Sequence, residues 1–211
     1  QRNVQMTTRI TSILCLAALL ALPHLSMAED KASDKPDANA KEVKTVEVEI
    51  KGGLKLNVPE TWKQGKPSSR LRLAQFAIPA AKGDTEEGEL ALFNFGAGGS
   101  AKANIDRWIG QFQPDEREVK VKEGATETGK YFFVEITGTY MKPIGPPIAR
   151  QSKAAPGSRM LGVILGIEDK GIYFFKMTGP DKTVAAQTAA LKTSFGADAK
   201  KEKEVELDKL R

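Results

Sequence analysis

The sequence predicts an α+β domain, a three-layer α/β/α sandwich around a central, mainly antiparallel sheet. Three observations predict it. Strand-like runs come in pairs joined by short turns, which favours antiparallel ladders. Several runs are apolar on both faces, as in strands covered from both sides. Two amphipathic helical stretches remain to do the covering, one per face.

The elements follow in order. TVEVEIKGGLKLNVP alternates apolar and polar residues around Gly52-Gly53, so Val46, Val48 and Ile50 form one stripe and Leu54, Leu56 and Val58 another. That pattern is a β-hairpin, and Pro59 ends it. RLRLAQFAIP and GELALFNF make the next pair, joined by AAKGDTEE. In the second of these, Ala91, Phe93 and Phe95 oppose Leu90 and Leu92. Ser100 reads as a helix N-cap. Behind it Ile105, Trp108, Ile109 and Phe112 recur at helical spacing. EVKVKE and KYFFVEITGTY pair around GATETG, and MLGVILGI and GIYFFKM pair around EDKG. A last helix is expected from about Lys182 to Phe195, with Val184, Thr188, Leu191 and Phe195 on one stripe.

Two stretches share a vocabulary, YFFVEITG from Tyr131 and YFFKMTGP from Tyr173. In the first, Phe132, Val134 and Ile136 read as the apolar face. In the second, Tyr173, Phe175 and Met177 do. A one-residue offset reverses every side chain, so the likeness reads as strand composition and not as a duplicated site. Gly179-Pro180 marks the turn into the last helix.

The N-terminal run sets the expected compartment. Arg9, the apolar stretch ITSILCLAALLALP and the small residues at Ser26 and Ala28 match a secretory signal over residues 1–28. The apolar run is shorter than the roughly 20 residues of a membrane span. Cleavage after Ala28 removes Cys15 and His24, the single cysteine and single histidine. The processed chain then has no thiol and no imidazole, which excludes disulfides, Cys/His zinc sites, cysteine nucleophiles and Ser-His-Asp triads. Loss of Arg2 and Arg9 takes the formal charge from +5 to +3. A mixed surface of that kind is not a nucleic-acid footprint. Residues 29–44 read as a flexible leader, 45–197 as one domain large enough to fold without metal, and 198–211 as a charged, solvated tail.

VPETW after the first hairpin, and YFFKMTGP leading into a terminal helix, give a pattern over Val46–Phe195 that resembles the Mog1/PsbP-like superfamily, in particular its small exported bacterial members. The resemblance implies a non-enzymatic binding or scaffold role. Photosynthetic members of that superfamily assist an oxygen-evolving complex and involve metal ions. This chain departs there, because its processed form offers no histidine ligand.

Candidate sites are few. Gly96, Gly98 and Ala101 fit G-x-G-x-x-A between a strand and a helix, with Glu116 further on; a hairpin follows where a crossover strand is needed, so a plain connecting loop is the better reading. Asp84, Glu86, Glu87 and Glu89 have the oxygen density of a calcium site but also the composition of a solvated turn. Ser152-Lys153 is a poor dyad, because neighbours in extended chain point apart. The segment 142–159 is rich in proline, and Ile136–Ile167 contains no acid. It reads as a long loop whose Lys142, Arg150, Lys153 and Arg159 face a protein partner, a small anion or an anionic lipid headgroup. The expected protein is exported and not an enzyme, has no cofactor and no metal, and acts as a binding or scaffold protein. A small-anion or lipid-headgroup binder, or a hydrolase using carboxylates alone, are the alternatives. Exported protein should begin at Glu29; an intact mass that retains Cys15 contradicts this.

Overall fold

The computed structural model describes residues 43–95, 100–145, 149 and 151–210. They belong to one compact unit, Ala40–Arg211. The signal and nearly all of the leader expected at the N-terminus lie outside the described residues, as do Gly96, Gly98 and Arg150.

The chain is mostly sheet. β1 (Thr45–Ile50) and β2 (Leu54–Pro59) form a two-stranded hairpin. The large sheet has eight strands: β3 (Lys63–Gly65), β4 (Arg72–Ile78), β5 (Gly88–Asn94), β6 (Glu118–Ala125), β7 (Gly129–Ile144), β8 (Gln151–Ile167), β9 (Gly171–Pro180) and β10 (Lys203–Glu204). Their order is β10-β6-β7-β8-β9-β5-β4-β3, and every pairing is antiparallel. The helices are short: α1 (Ala101–Ile109), α2 (Asp181–Ala185) and α3 (Thr188–Ser194).

Alternation along the central strands sends side chains into two separate clusters. Tyr131, Phe133, Leu161, Val163, Tyr173, Phe175 and Met177 pack with the β1–β2 hairpin, Trp62, Val184, Leu191 and Phe195. Val134, Ile136, Met160, Ile164 and Phe174 pack on the other face with Ile105, Trp108, Phe112 and Tyr140. Trp108 and Phe195 therefore belong to opposite faces. Both expected hairpins around GATETG and EDKG form.

Ser100 caps α1, its Oγ accepting from the Ala103 N–H at 3.1 Å. Arg117 closes the other end by donating to the carbonyls of Ile109 and Phe112. Beneath the helix, Gly162 of β8 lies against Trp108, and a Cβ there would overlap the indole ring.

The structure differs from expectation in four places. The terminal helix is broken at Ala186-Gln187, where the Gln187 side chain turns to accept from Trp62 Nε1 at 2.9 Å. A buried indole N–H needs such a partner, which gives VPETW its structural meaning. The proline-rich segment is not a long loop: β7 and β8 run on as a hairpin arm to Ile144 and Gln151. Pro156-Gly157 is accommodated in a β-bulge, Gly157 at φ +64°, and Pro143 lies where β7 has outrun β6. The two YFF runs are in register, not offset. Tyr131, Phe132 and Phe133 face Leu165, Ile164 and Val163, which face Tyr173, Phe174 and Phe175 in turn. Finally, the tail is not solvated throughout. Lys203–Glu204 adds to the sheet edge, Leu210 is buried, and Glu202 is buried in an ion pair with Lys192 at 2.5 Å. Tyr131 Oη donates to that same Glu202 at 3.0 Å, and burial together with this carboxylate pushes the phenol pKa up.

Because Trp108 and Phe195 sit in different clusters, Trp108→Ala and Phe195→Ala should each cost about 3–5 kcal/mol. Their effects should add within about 0.5 kcal/mol in urea unfolding of the double variant. Strong non-additivity contradicts the two-cluster packing.

Candidate functional site, a cleft with a lysine floor

Among the described residues α1 covers the β7–β8 part of its face, and no helix covers the β9–β5–β4 part. There the described residues enclose a cleft of about 860 Å³. One wall is the hairpin arm, Lys142–Ile144 and Lys153–Ser158; the other is the loop Gly83–Glu87; the floor includes Arg72, Glu89, Phe93, Tyr140 and Lys176.

Each floor residue has a local cause. Lys176 lies between Phe175 and Met177 in a strand buried on both faces, so alternation turns it away from the Phe175 side and toward the cleft. Arg72 reaches the floor through a bulge in β4 between Arg72 and Ala74. Ala74, Phe76 and Ile78 point into the hairpin-side core. The bulge re-aims Arg72 to the other face, opposite Phe93. Tyr140 arrives on β7 and packs on Phe112 at 5.2 Å between ring centroids.

Lys176 Nζ donates to Gln111 Oε1 at 2.5 Å and to Tyr140 Oη at 2.9 Å. Both acceptors are neutral. Among the described residues no carboxylate lies within ion-pair distance of Nζ. Burial pushes the ammonium pKa down to about 8, and Arg72 lowers it further than Glu89 raises it. Burial, with Glu89, pushes Tyr140 up to about 12. Arg72 Nη1 is 2.7 Å from Glu89 Oε1, an ion pair without hydrogen-bond alignment, so this buried donor has no aligned acceptor. Glu89 Oε2 accepts from Gln75 Nε2 at 2.7 Å.

The residues singled out in the sequence fare unequally. Lys142 and Lys153 are cross-strand partners on the arm and exposed at the rim. Lys142 reaches across the mouth to Glu86 at 3.5 Å, an exposed contact of small energetic weight. Arg159 is half-buried at 19% and is taken up by Glu135 and by Asp181, the latter at 2.8 Å. Its charge is spent inside the fold. The acidic turn is also in use: Asp84 Oδ2 accepts from Thr183 N at 3.0 Å and Thr183 Oγ1 at 2.6 Å, tying the turn to the start of α2. Among the described residues no group of three or more His, Cys, Asp or Glu is placed to hold a metal ion, and no helix is long and apolar enough to cross a membrane.

Sequence reasoning missed Arg72, Tyr140 and Lys176, and it named Glu89 only as part of an acidic turn. The bulge that turns Arg72 has no sequence signature. Lys176 had one: a lysine in the middle of an otherwise apolar, two-sided strand.

The chain is similar in structure to cyanobacterial PsbP (CyanoP) from Synechocystis sp. PCC 6803, known from a solution structure. The alignment covers 81% of this chain and 98% of that one, at 10% identity and a TM-score of 0.44. No family model and no curated protein matches the chain. The architecture and the cleft stand on the strand pairing and packing of this chain itself.

The lysine makes stability depend on pH. Between about pH 8 and 10.5 the folded chain has released a proton that the unfolded chain still holds, so stability rises with pH across that window. Tyr140 acts oppositely, but only above about pH 10, where the unfolded phenol ionises first. From about pH 8 to 10 the wild type should gain on the order of 2 kcal/mol over Lys176→Met in urea unfolding. A pH-independent difference contradicts the buried-lysine assignment.

Proposed function

We propose that this is an exported, non-enzymatic binding protein whose ligand is a small carboxylate held in the cleft. One observation carries the reading: a half-buried ammonium at the cavity floor whose only hydrogen-bond partners among the described residues are neutral. Taking a charge partly out of water is costly unless it is paired. A carboxylate supplies the missing counter-charge to Lys176 and a second anionic partner to Arg72, beside Glu89, through charge-assisted bonds. Lys142 and Lys153 at the rim contribute a screened attraction that draws the anion in. The three-layer arrangement belongs to the same proposal, with α1 on one face and α2–α3 on the other holding the sheet rigid beneath the site. A protein partner or anionic envelope component engages the arm on this reading, and no nucleic acid does.

Calorimetric titration with lactate, acetate and inorganic phosphate tests it. Saturable binding of a carboxylate is expected, weakening with salt. Arg72→Gln should weaken it by about 10- to 100-fold, the loss of a hydrogen bond to a charged group. The rim variant Lys142→Glu/Lys153→Glu should lose only a few-fold. Absence of saturable binding by any of the three anions, or equal affinity in Arg72→Gln, contradicts the reading.

A further inference from the structure

The cleft floor carries more than a cation. Nζ of Lys176 has two hydrogen-bond acceptors, Gln111 Oε1 and Tyr140 Oη. A neutral amine has two N–H groups, so these two partners satisfy both and leave the lone pair free. Lys176 and Tyr140 both line the cavity, and the phenol oxygen, which can pass a proton, is 2.9 Å from Nζ. Arg72, ion-paired with Glu89 at 2.7 Å, shares the floor and brings a second cation to it. We propose that Lys176 captures an α-oxo acid as an imine, its carbonyl carbon bonding to Nζ while Arg72 holds its carboxylate.

This rests on the reading of the cleft as a carboxylate site and deepens it. The lone pair of Nζ attacks the carbonyl carbon, the C=O π pair moves to oxygen, and one proton passes from nitrogen to that oxygen to give a carbinolamine. Tyr140 Oη then protonates the hydroxyl, which leaves as water, and the nitrogen lone pair forms the C=N bond. The phenolate recovers its proton from the iminium nitrogen. The sum is amine plus ketone giving imine plus water, with no oxidant or reductant. Desolvated lysines are the ones that do this chemistry, because at neutral pH an ordinary ammonium has no lone pair to offer. Lys176, held near 8 by burial and Arg72, is substantially neutral in mildly alkaline solution.

The test treats the full chain with pyruvate and cyanoborohydride at about pH 8, which reduces any imine to a stable carboxyethyl-lysine, and then maps the adduct by peptide mass spectrometry. Lys176 should carry at least about tenfold more adduct than the average exposed lysine, and lactate, which has the carboxylate without the carbonyl, should protect it. The wild-type map needs no variant to fold; Lys176→Arg supplies the second arm and should lose the selective adduct. Adduct spread evenly over exposed lysines overturns the proposal. If lactate binds in calorimetry but pyruvate leaves no selective adduct on Lys176, the imine is wrong and the carboxylate site stands. If neither anion binds and no selective adduct forms, both readings fall.

Discussion

The contact between Trp108 and Gly162 decides how the rest of this protein is used. α1 can lie flat on the sheet only because β8 presents a bare backbone beneath the indole. With the helix pinned there, its C-terminal turn brings Gln111 and Phe112 to the edge of the β9–β5–β4 surface and stops. Among the described residues no helix lies over the surface beyond, although β9 and β5 carry apolar residues on both faces. The hairpin arm and the acidic turn wall it in. A cleft results, with Lys176 and Arg72 among the residues that line it.

That geometry explains the electrostatics. Lys176 is half covered by Tyr140 and by the turn after α1, which also offer the two neutral acceptors that it has. Desolvation of an ammonium outweighs two hydrogen bonds to uncharged partners, so the proton is held loosely. The opposite choice is made on the other face, where buried Lys192 is given Glu202 at 2.5 Å and sits 4.2 Å from the Phe133 ring centroid. The fold thus carries a buried lysine with its counter-charge, Lys192, and a half-buried one left short of it, Lys176. Departures from local consistency of the second kind concentrate where a protein binds or reacts.

Much of the fold was legible in the sequence because it depends on period and punctuation. Strand alternation gave the two-sided central strands, the i, i+3, i+4 spacing gave α1 and its buried face, and Ser100 was visible as its cap. The opposite placement of Trp108 and Phe195 followed from those patterns. What stayed hidden depends on partners far apart along the chain. Arg159 has no acid nearby in sequence, yet Glu135 lies across the hairpin and Asp181 at the end of β9. Prolines in 142–159 suggested a loop, and a bulge absorbed one of them within a strand. Gln187 breaks the last helix to meet a tryptophan from the far end of the domain. The cleft itself is an assembly of this kind: Arg72, Tyr140 and Lys176 come from three strands, Gln111 reaches the lysine from the turn after α1, and only the lysine is anomalous where it stands.

The central claim is that Lys176 is a desolvated amine waiting for a carboxylate, and its own titration tests that most directly. Carbon-detected NMR of the Lys176 Cε, in the free protein and with saturating lactate, reads the ionisation at that single site. The account predicts a pKa near 8 in the free protein, moving upward when the anion binds because a counter-charge favours the ammonium. A value near the ordinary 10.5 that does not respond to lactate would contradict it.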